Sequence, residues 1–345
     1  MPKSKYNHRS VNIKGDLLDK LVLAHLVKLP TTRAAVADRC NVSKTTAGKV
    51  ATALFECRFV TQKLCQQSNG RAAQHLTLRK VVSAMVIDLS RPRYAMIITN
   101  AYGECSFERY HNFDAKLSYE DNLTTFLSRC GYEARLAGHR PDAICVVYSG
   151  ATDNGHTVCS SLSAYLPSAQ DKDKTLRIVG SVFGRRPTIY ASLSEIISAS
   201  VDLEIVPSGN RRLGASYLFI GTYPEAFNVL GDTVTRCDAG SVLLDSRSVG
   251  MAMENRLIQS EFEDVLVRLV NMMSCAFCPS VIIIQSDIYR IDQNTLSSVS
   301  RRLAEGGILC PDIVNSKTVI LEAAARLATV PFIRRYLTST YEKQQ

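Results

Sequence analysis

Residues 31–60, TTRAAVADRCNVSKTTAGKVATALFECRFV, constrain this chain more than any other stretch. Thr31 or Thr32 can cap a short helix, Arg33–Arg39, whose Ala34, Ala35, Val36 and Ala37 are small enough for close packing. Cys40-Asn41-Val42 interrupts it at turn length: Asn41 tolerates a left-handed backbone and Val42 plugs a core. Ser43 caps the next helix, Lys44–Phe59, with Val50, Ala53, Leu54 and Cys57 on its inner face. Upstream, Leu17, Leu18, Leu21, Leu23, Leu26 and Val27 recur at helical spacing and stop at Pro30. Downstream, residues 59–64 read as a strand, QQSNGRAA as a turn, and residues 74–78 as a returning strand. Helix, short turn, helix and hairpin together make a winged helix-turn-helix.

Charge says what such a unit meets. Residues 1–80 hold 15 Lys/Arg against Asp16, Asp19, Asp38 and Glu56, a balance of +11; the remaining 26 Lys/Arg and 28 Asp/Glu give −2. A basic module joined to a near-neutral body points to a polyanion. The second helix of a helix-turn-helix enters the DNA major groove N-terminus first, so Ser43, Lys44, Thr45, Thr46 and Lys49 are the groove-facing candidates. They are short hydroxyls and long cations, suited to phosphates and base edges. Thr32 and Arg33 at the first helix, Lys63 on the hairpin and Arg71 near the wing tip complete the candidate DNA-binding set. Lys3, Lys5, His8, Arg9 and Lys14 form a basic arm. No helix here interleaves Lys/Arg with Trp/Phe/Leu as a membrane-surface helix does.

Other classes fall away. MPKSKYNHRS lacks a signal peptide's apolar core, and no apolar run approaches the roughly 18 residues of a membrane span. Eleven scattered cysteines read as reduced thiols, hence a cytoplasmic protein. Cys275 and Cys278 form a lone CxxC with no second ligand pair, and His111, His139 and His156 lie far apart, so no metal or other cofactor is expected.

After residue 80 the pattern changes to an α/β body. Strands are expected at Ser83–Leu89, Arg93–Asn100 and Cys105–His111, then a helix at Tyr119–Cys130 and a strand at Ala143–Tyr148. This β-β-β-α-β order is the first half of an actin/hexokinase-type fold. The second half reads as helix Ser192–Ser200, strands Asp202–Val206, Ser216–Gly221 and Phe227–Asp232, helix Met251–Met273 and strand Val281–Gln285. A last helix, Leu321–Thr329, is expected to stop before Pro331. The expected organisation is residues 1–80 as the DNA-binding domain and 81–345 as a two-lobed body, with lobes of about 81–190 and 191–345.

A winged helix followed by this body resembles the ROK family (repressor, open reading frame, kinase), specifically its sugar-responsive bacterial repressors. Residues 31–60 look like that family's helix-turn-helix. Val86-Ile87-Asp88, with Ala95-Met96-Ile97-Ile98 and Tyr102-Gly103-Glu104, is similar to the opening strands, which normally carry D-x-G-G-T-K. Gly150-Ala151-Thr152-Asp153 with Gly155 looks like the P-G-x-V-D loop. Leu269-Val270-Asn271-Met272-Met273 followed by Pro279-Ser280-Val281-Ile282-Ile283-Ile284 resembles the N-x-x-x-x-x-P-x-x-I-V-I-G-G segment.

The departures matter as much. Phosphate loops need glycines for close backbone approach, yet Leu89-Ser90-Arg91-Pro92 follows Asp88, and Gly221-Thr222-Tyr223-Pro224-Glu225-Ala226-Phe227 stands for G-T-G-x-G-x-G. Gln285-Ser286-Asp287 replaces the adenosine-side glycines. Ser208, in Val206-Pro207-Ser208-Gly209-Asn210, matches the family's catalytic Asp and has no carboxylate to take a proton. The family's zinc cluster and sugar-contacting G-E-I-G-H have no counterpart, the latter around Cys237-Asp238-Ala239-Gly240-Ser241. The resemblance therefore implies a non-enzymatic regulator, a repressor binding double-stranded operator DNA as a homodimer or dimer of dimers. A sugar-like effector would meet Asp153, Asn154 and His156 beside the interlobe cleft. The alternatives are an active ROK sugar kinase and a protein-interaction module with incidental DNA binding.

Overall fold

The computed structural model describes residues 31–66, 72–79, 82–90, 93–114, 116–148, 167, 169–202, 214–220, 224–230, 233–237, 239, 243–244, 247–249, 257–286, 289–308, 311–315 and 319–342. The expected first helix, the basic arm and Arg71 lie outside these residues.

Helix α1 (Arg33–Cys40) opens on Thr32, whose side chain accepts the Ala35 N–H at 3.2 Å. It ends on Asn41 at φ +52°, with the Val42 N–H returned to the Ala37 carbonyl. Ser43 then caps helix α2 (Lys44–Glu56) by accepting the Thr46 N–H at 3.0 Å. The helix is three residues shorter than its apolar pattern suggests. Arg58 turns left-handed (φ +63°), which lets Phe59 swing inward and donate its N–H to Leu54. Strands β2 (Val60–Gln66) and β3 (Ala72–Leu78) form the hairpin, and β1 (Thr31–Thr32) pairs on β3, giving the order β1-β3-β2.

The body repeats one topology twice. Strands β4 (Ser83–Asp88), β5 (Arg93–Asn100) and β6 (Cys105–Asn112) run antiparallel. Helix α3 (Tyr119–Leu136), β7 (Ala143–Tyr148), α4 (Lys172–Phe183), β8 (Thr188–Ser192) and α5 (Leu193–Asp202) follow, with sheet order β6-β5-β4-β7-β8. In the second half come β9 (Ala215–Ile220), β10 (Pro224–Leu230) and β11 (Thr233–Cys237), then the small hairpin β12 (Leu243–Leu244) and β13 (Arg247–Ser248). Helix α6 (Gln259–Phe277), β14 (Val281–Ser286), α7 (Gln293–Glu305), β15 (Asp312–Asn315) and α8 (Val319–Glu342) complete it, and the sheet order is β11-β10-β9-β14-β15. With the β12–β13 hairpin left aside, each sheet thus reads third, second, first, fourth, fifth strand of its half.

Alternation along the central strands explains the layers. In β4 and β7, Ala84, Val86, Ala143, Cys145 and Val147 face the core between the sheets, while Met85, Ile87, Ile144 and Val146 face α3 and α4. In β9 and β14, Tyr217, Phe219, Val281 and Ile283 face the same middle, and Leu218, Ile220, Ile282 and Ile284 face α6 and α7. Both faces are covered, so these strands read as unbroken apolar runs. Helices α5 and α8 lie in the middle layer, where Ala323, Ala324, Ala325 and Ala328 of α8 are fully buried.

Several boundaries differ from the sequence reading. Asp202 ends α5 and residues 203–206 lie outside the described residues. Strand β10 begins at Pro224, where its first position needs no ladder N–H. The described part of the long second-half helix starts at Gln259 and continues to Phe277. Most tellingly, α8 does not stop before Pro331 but runs through it to Glu342. An interior proline costs about 3 kcal/mol. Burial of Val330 and Ile333, with Phe332 half-buried beside them, each contributing about 1.5–3 kcal/mol, offsets that cost.

Candidate nucleic-acid interface and interlobe cleft

The two capped turns of the N-terminal unit decide which side chains of α2 are spent inside the chain. Ser43 Oγ accepts the Thr46 N–H and shares a 2.9 Å hydrogen bond with Thr46 Oγ1. Thr32 Oγ1 is likewise spent on its cap. Of the candidates, Lys44, Thr45 and Lys49 stand exposed on the outer face, joined by Thr52, which the sequence reading passed over. Its spacing, Thr45 plus seven, was the available signal. No ion pair engages Lys44, Lys49 or Lys63 among the described residues, and the first turn of α2 carries no acid. Lys63 is exposed on β2 opposite His75. Arg33 is half-buried, its Nε buried and unpaired among the described residues. Arg71, Asp153, Asn154 and His156 lie outside the described residues.

Described residues of the segments matched to the family's phosphate loops bond within the chain. Asp88, ending β4, accepts the Ser90 N–H at 2.9 Å and the Ser90 hydroxyl at 2.6 Å. Leu89 is fully buried and donates its N–H to Val147 at 2.8 Å. Glu225, in the segment that stands for the second phosphate loop, lies in β10 and pairs with Arg236 of β11. Pro224, Ala226 and Phe227 are buried strand residues beside it. Ser286 ties the ends of β14 and β9 together: its hydroxyl donates to the Ile220 carbonyl at 2.8 Å and accepts the Tyr289 N–H at 3.0 Å. Ser208, residues 221–223 and Asp287 lie outside the described residues.

Among the described residues, burial works against ionisation of the interior thiols. Burial pushes the Cys130 thiol up to about 11 and raises Cys145 further still. Burial also raises Cys237, and its neighbour Arg236 is held by Glu225. Cys275 and Cys278 are exposed at the end of α6, and no cluster of three metal-ligating side chains occurs among the described residues. His111 and His139 pack on the rings of Phe126 and Phe107 at 5.6 and 5.5 Å.

One helix joins the N-terminal unit to the body. Beyond Pro331, α8 completes the N-terminal unit's core: Val330, Phe332 and Ile333 meet Val36, Val50, Leu54, Phe59 and Val60. Phe59 is met edge-on by Phe332 at 6.1 Å and Tyr336 at 5.3 Å. One turn before the proline, Arg326 is fully buried and paired with Glu322, itself 2% exposed. Arg326 Nε donates to the Ala101 carbonyl at 2.9 Å, fastening α8 to the turn between β5 and β6. Gly103 in that turn has φ +75°, and a Cβ there would sit 3.1 Å from the Glu322 Cβ. Burial lowers the Arg326 pKa, opposed by the Glu322 carboxylate. Sequence periodicity missed this joint because it ended the helix at the proline.

Two duplicated sheets enclosing a shared helical layer define the two-lobed actin/hexokinase-like class. Within it, the fold is that of ROK family proteins. A ROK family transcriptional regulator, a homologue of the E. coli MLC protein, superposes at TM-score 0.58 over 92% of this chain and 97% of its own, with 14% identity. A ROK family glucokinase from Streptomyces griseus, crystallised with glucose and AMPPNP, superposes at 0.51 over 72% of this chain and 99% of its own, with 11% identity. At these identities the likeness is one of fold. No family model matches the sequence, and no curated protein does. No helix among the described residues is long and apolar enough to cross a membrane.

Proposed function

We propose that this chain is a cytoplasmic ROK-type transcriptional regulator, a repressor whose residues 1–80 form a winged helix on operator DNA and whose body has lost kinase chemistry. The exposed face of α2, with unpaired Lys44 and Lys49 around Thr45 in a unit capped as a helix-turn-helix, carries this reading. In support, the alignment with the MLC homologue leaves 8% of this chain unmatched, fewer residues than 31–79 contain, so it reaches into the N-terminal unit. The Asp88–Ser90 and Glu225–Arg236 contacts turn two ATP-loop positions inward, which favours a silent body over a kinase. A homodimer would set two α2 helices in successive major grooves, roughly 34–36 Å apart. An effector closing the lobes would act on that spacing through α8, which is packed in both places.

Selection of bound fragments from genomic DNA tests this. Lys44→Ala and Thr45→Ala should each weaken binding to the selected duplex by about 1–3 kcal/mol while changing random-sequence affinity less. Lys5→Ala should weaken both alike. Equal losses for all three variants would remove α2 from the groove. The shared body fold favours sugar phosphorylation as a second reading. ATP- and magnesium-dependent phosphorylation of any hexose would establish it and displace the silent body.

A further inference from the structure

Gly48, half-buried itself, lies among the exposed side chains of α2. Lys44 lies four residues before it, Thr45 three before, Lys49 beside it and Thr52 four after. On a helix surface, residues three and four apart are neighbours, so the two threonines border the bare Cα. A Cβ at this position would meet nothing within 4 Å, and Gly48 is not among the glycines with positive φ. Neither packing among the described residues nor backbone conformation therefore asks for glycine here. Helix interiors favour alanine over glycine. Gly131 in α3 shows the contrast: a Cβ there would lie 2.9 Å from the Phe183 ring, so packing requires its absence. Gly180 is open like Gly48, but it sits in the last turn of α4 just before the Gly184 cap, where a helix is already ending.

Nothing among the described residues offsets the helix penalty at Gly48. Taking α2 as the groove-entering helix, on which this inference rests, we propose that Gly48 is its point of closest approach to the bases and that the notch between Thr45 and Thr52 receives the C5-methyl of thymine. A major-groove base edge offers that methyl as its apolar feature, and small apolar surfaces read it. Lys44 and Lys49 flank the notch and reach phosphates, which holds the helix in register without carrying sequence information. A side chain at 48 would fill the notch and hold the helix away from the groove floor.

The experiment takes the full chain and a duplex selected from genomic DNA, and replaces its thymines one at a time by deoxyuridine, which removes only the methyl. Wild type should show one position per half-site where this weakens binding about fourfold, the value of one buried methyl group. Gly48→Ala should bind the unmodified duplex about tenfold more weakly, in the range of one lost base contact. It should no longer distinguish thymine from uracil at that position. Its α2 amides should meanwhile exchange about fivefold more slowly, because alanine favours the helix. Lys44→Ala should weaken binding yet keep the thymine preference. Undiminished affinity in Gly48→Ala, or methyl discrimination that survives in it, overturns the notch and leaves the DNA-binding reading standing. A wild-type chain that selects no duplex overturns both.

Discussion

At the scale of single residues, the largest fully buried side chain among the described residues is Arg326. It is fully buried, and its charge is matched by Glu322 one turn away and by the Ala101 carbonyl. Removing one partner of a buried pair strands the other charge, whereas replacing both with apolar residues of similar volume is often neutral or stabilising. Arg326→Ala should therefore destabilise the chain by about 3–5 kcal/mol in urea unfolding. The double change Glu322→Leu with Arg326→Met should return stability to within about 1 kcal/mol of wild type. A double variant as unstable as Arg326→Ala would mean that the ion pair itself holds the turn at Ala101. Neither residue was legible as special in the sequence. A Glu and an Arg four apart usually form an exposed pair worth a few tenths of a kcal/mol; only the turn packed over them makes this pair an interior one.

At the scale of elements, local chemistry was most readable where caps and periodicity agree. Thr32, Asn41 and Ser43 start and stop the two N-terminal helices as their side chains predict. Helix α7 carried the same kind of signal and was overlooked: Asp292 caps it through the Thr295 N–H at 3.0 Å, and Leu296, Val299 and Leu303 face inward. Its serine-rich sequence hid a sparse apolar stripe. The cap gives α7 a pH dependence. Hydrogen bonds from Thr295, helped by Arg290, hold the Asp292 carboxyl below the usual carboxylate range. Its contribution is present above the unfolded value of about 3.9 and is lost as pH falls through the lower folded value. Acid titration followed by NMR should show the amides of the first turn of α7 losing protection in step with this carboxyl. Asp292→Asn, which keeps a capping oxygen, should remove that dependence while retaining the helix. Strands β8 and β15 were harder to find: each is five residues or fewer, and β15 reads Asp-Ile-Val-Asn, too short and too polar for a strand pattern to declare itself.

At the scale of the whole molecule, α8 is the element that makes one protein of three packed bodies. Its first half fills the layer between the sheets, its middle is pinned to the β5–β6 turn, and its second half closes the core of the N-terminal unit. Deleting residues 330–345 should therefore strip amide protection from α1 and α2, and with it the proposed DNA binding, while the amides of β4, β7 and β9 keep theirs. Hydrogen exchange read by mass spectrometry separates the two sets. Retained protection in α1 and α2 would show that the N-terminal unit closes its core without α8.

The division between sequence and tertiary structure follows the range of the forces involved. Caps, turns and hydrophobic periodicity act over a few residues, so the helix-turn-helix, the hairpin, the β-β-β-α-β order and the basic charge of the first eighty residues were determined by the sequence alone. Long-range packing decided the rest. It carried α8 through Pro331 because the buried face beyond outweighs one missing hydrogen bond. It paired Glu225 with Arg236 on the adjoining strand. It also left Gly48 bare on an open face, a vacancy that only the surrounding atoms could reveal.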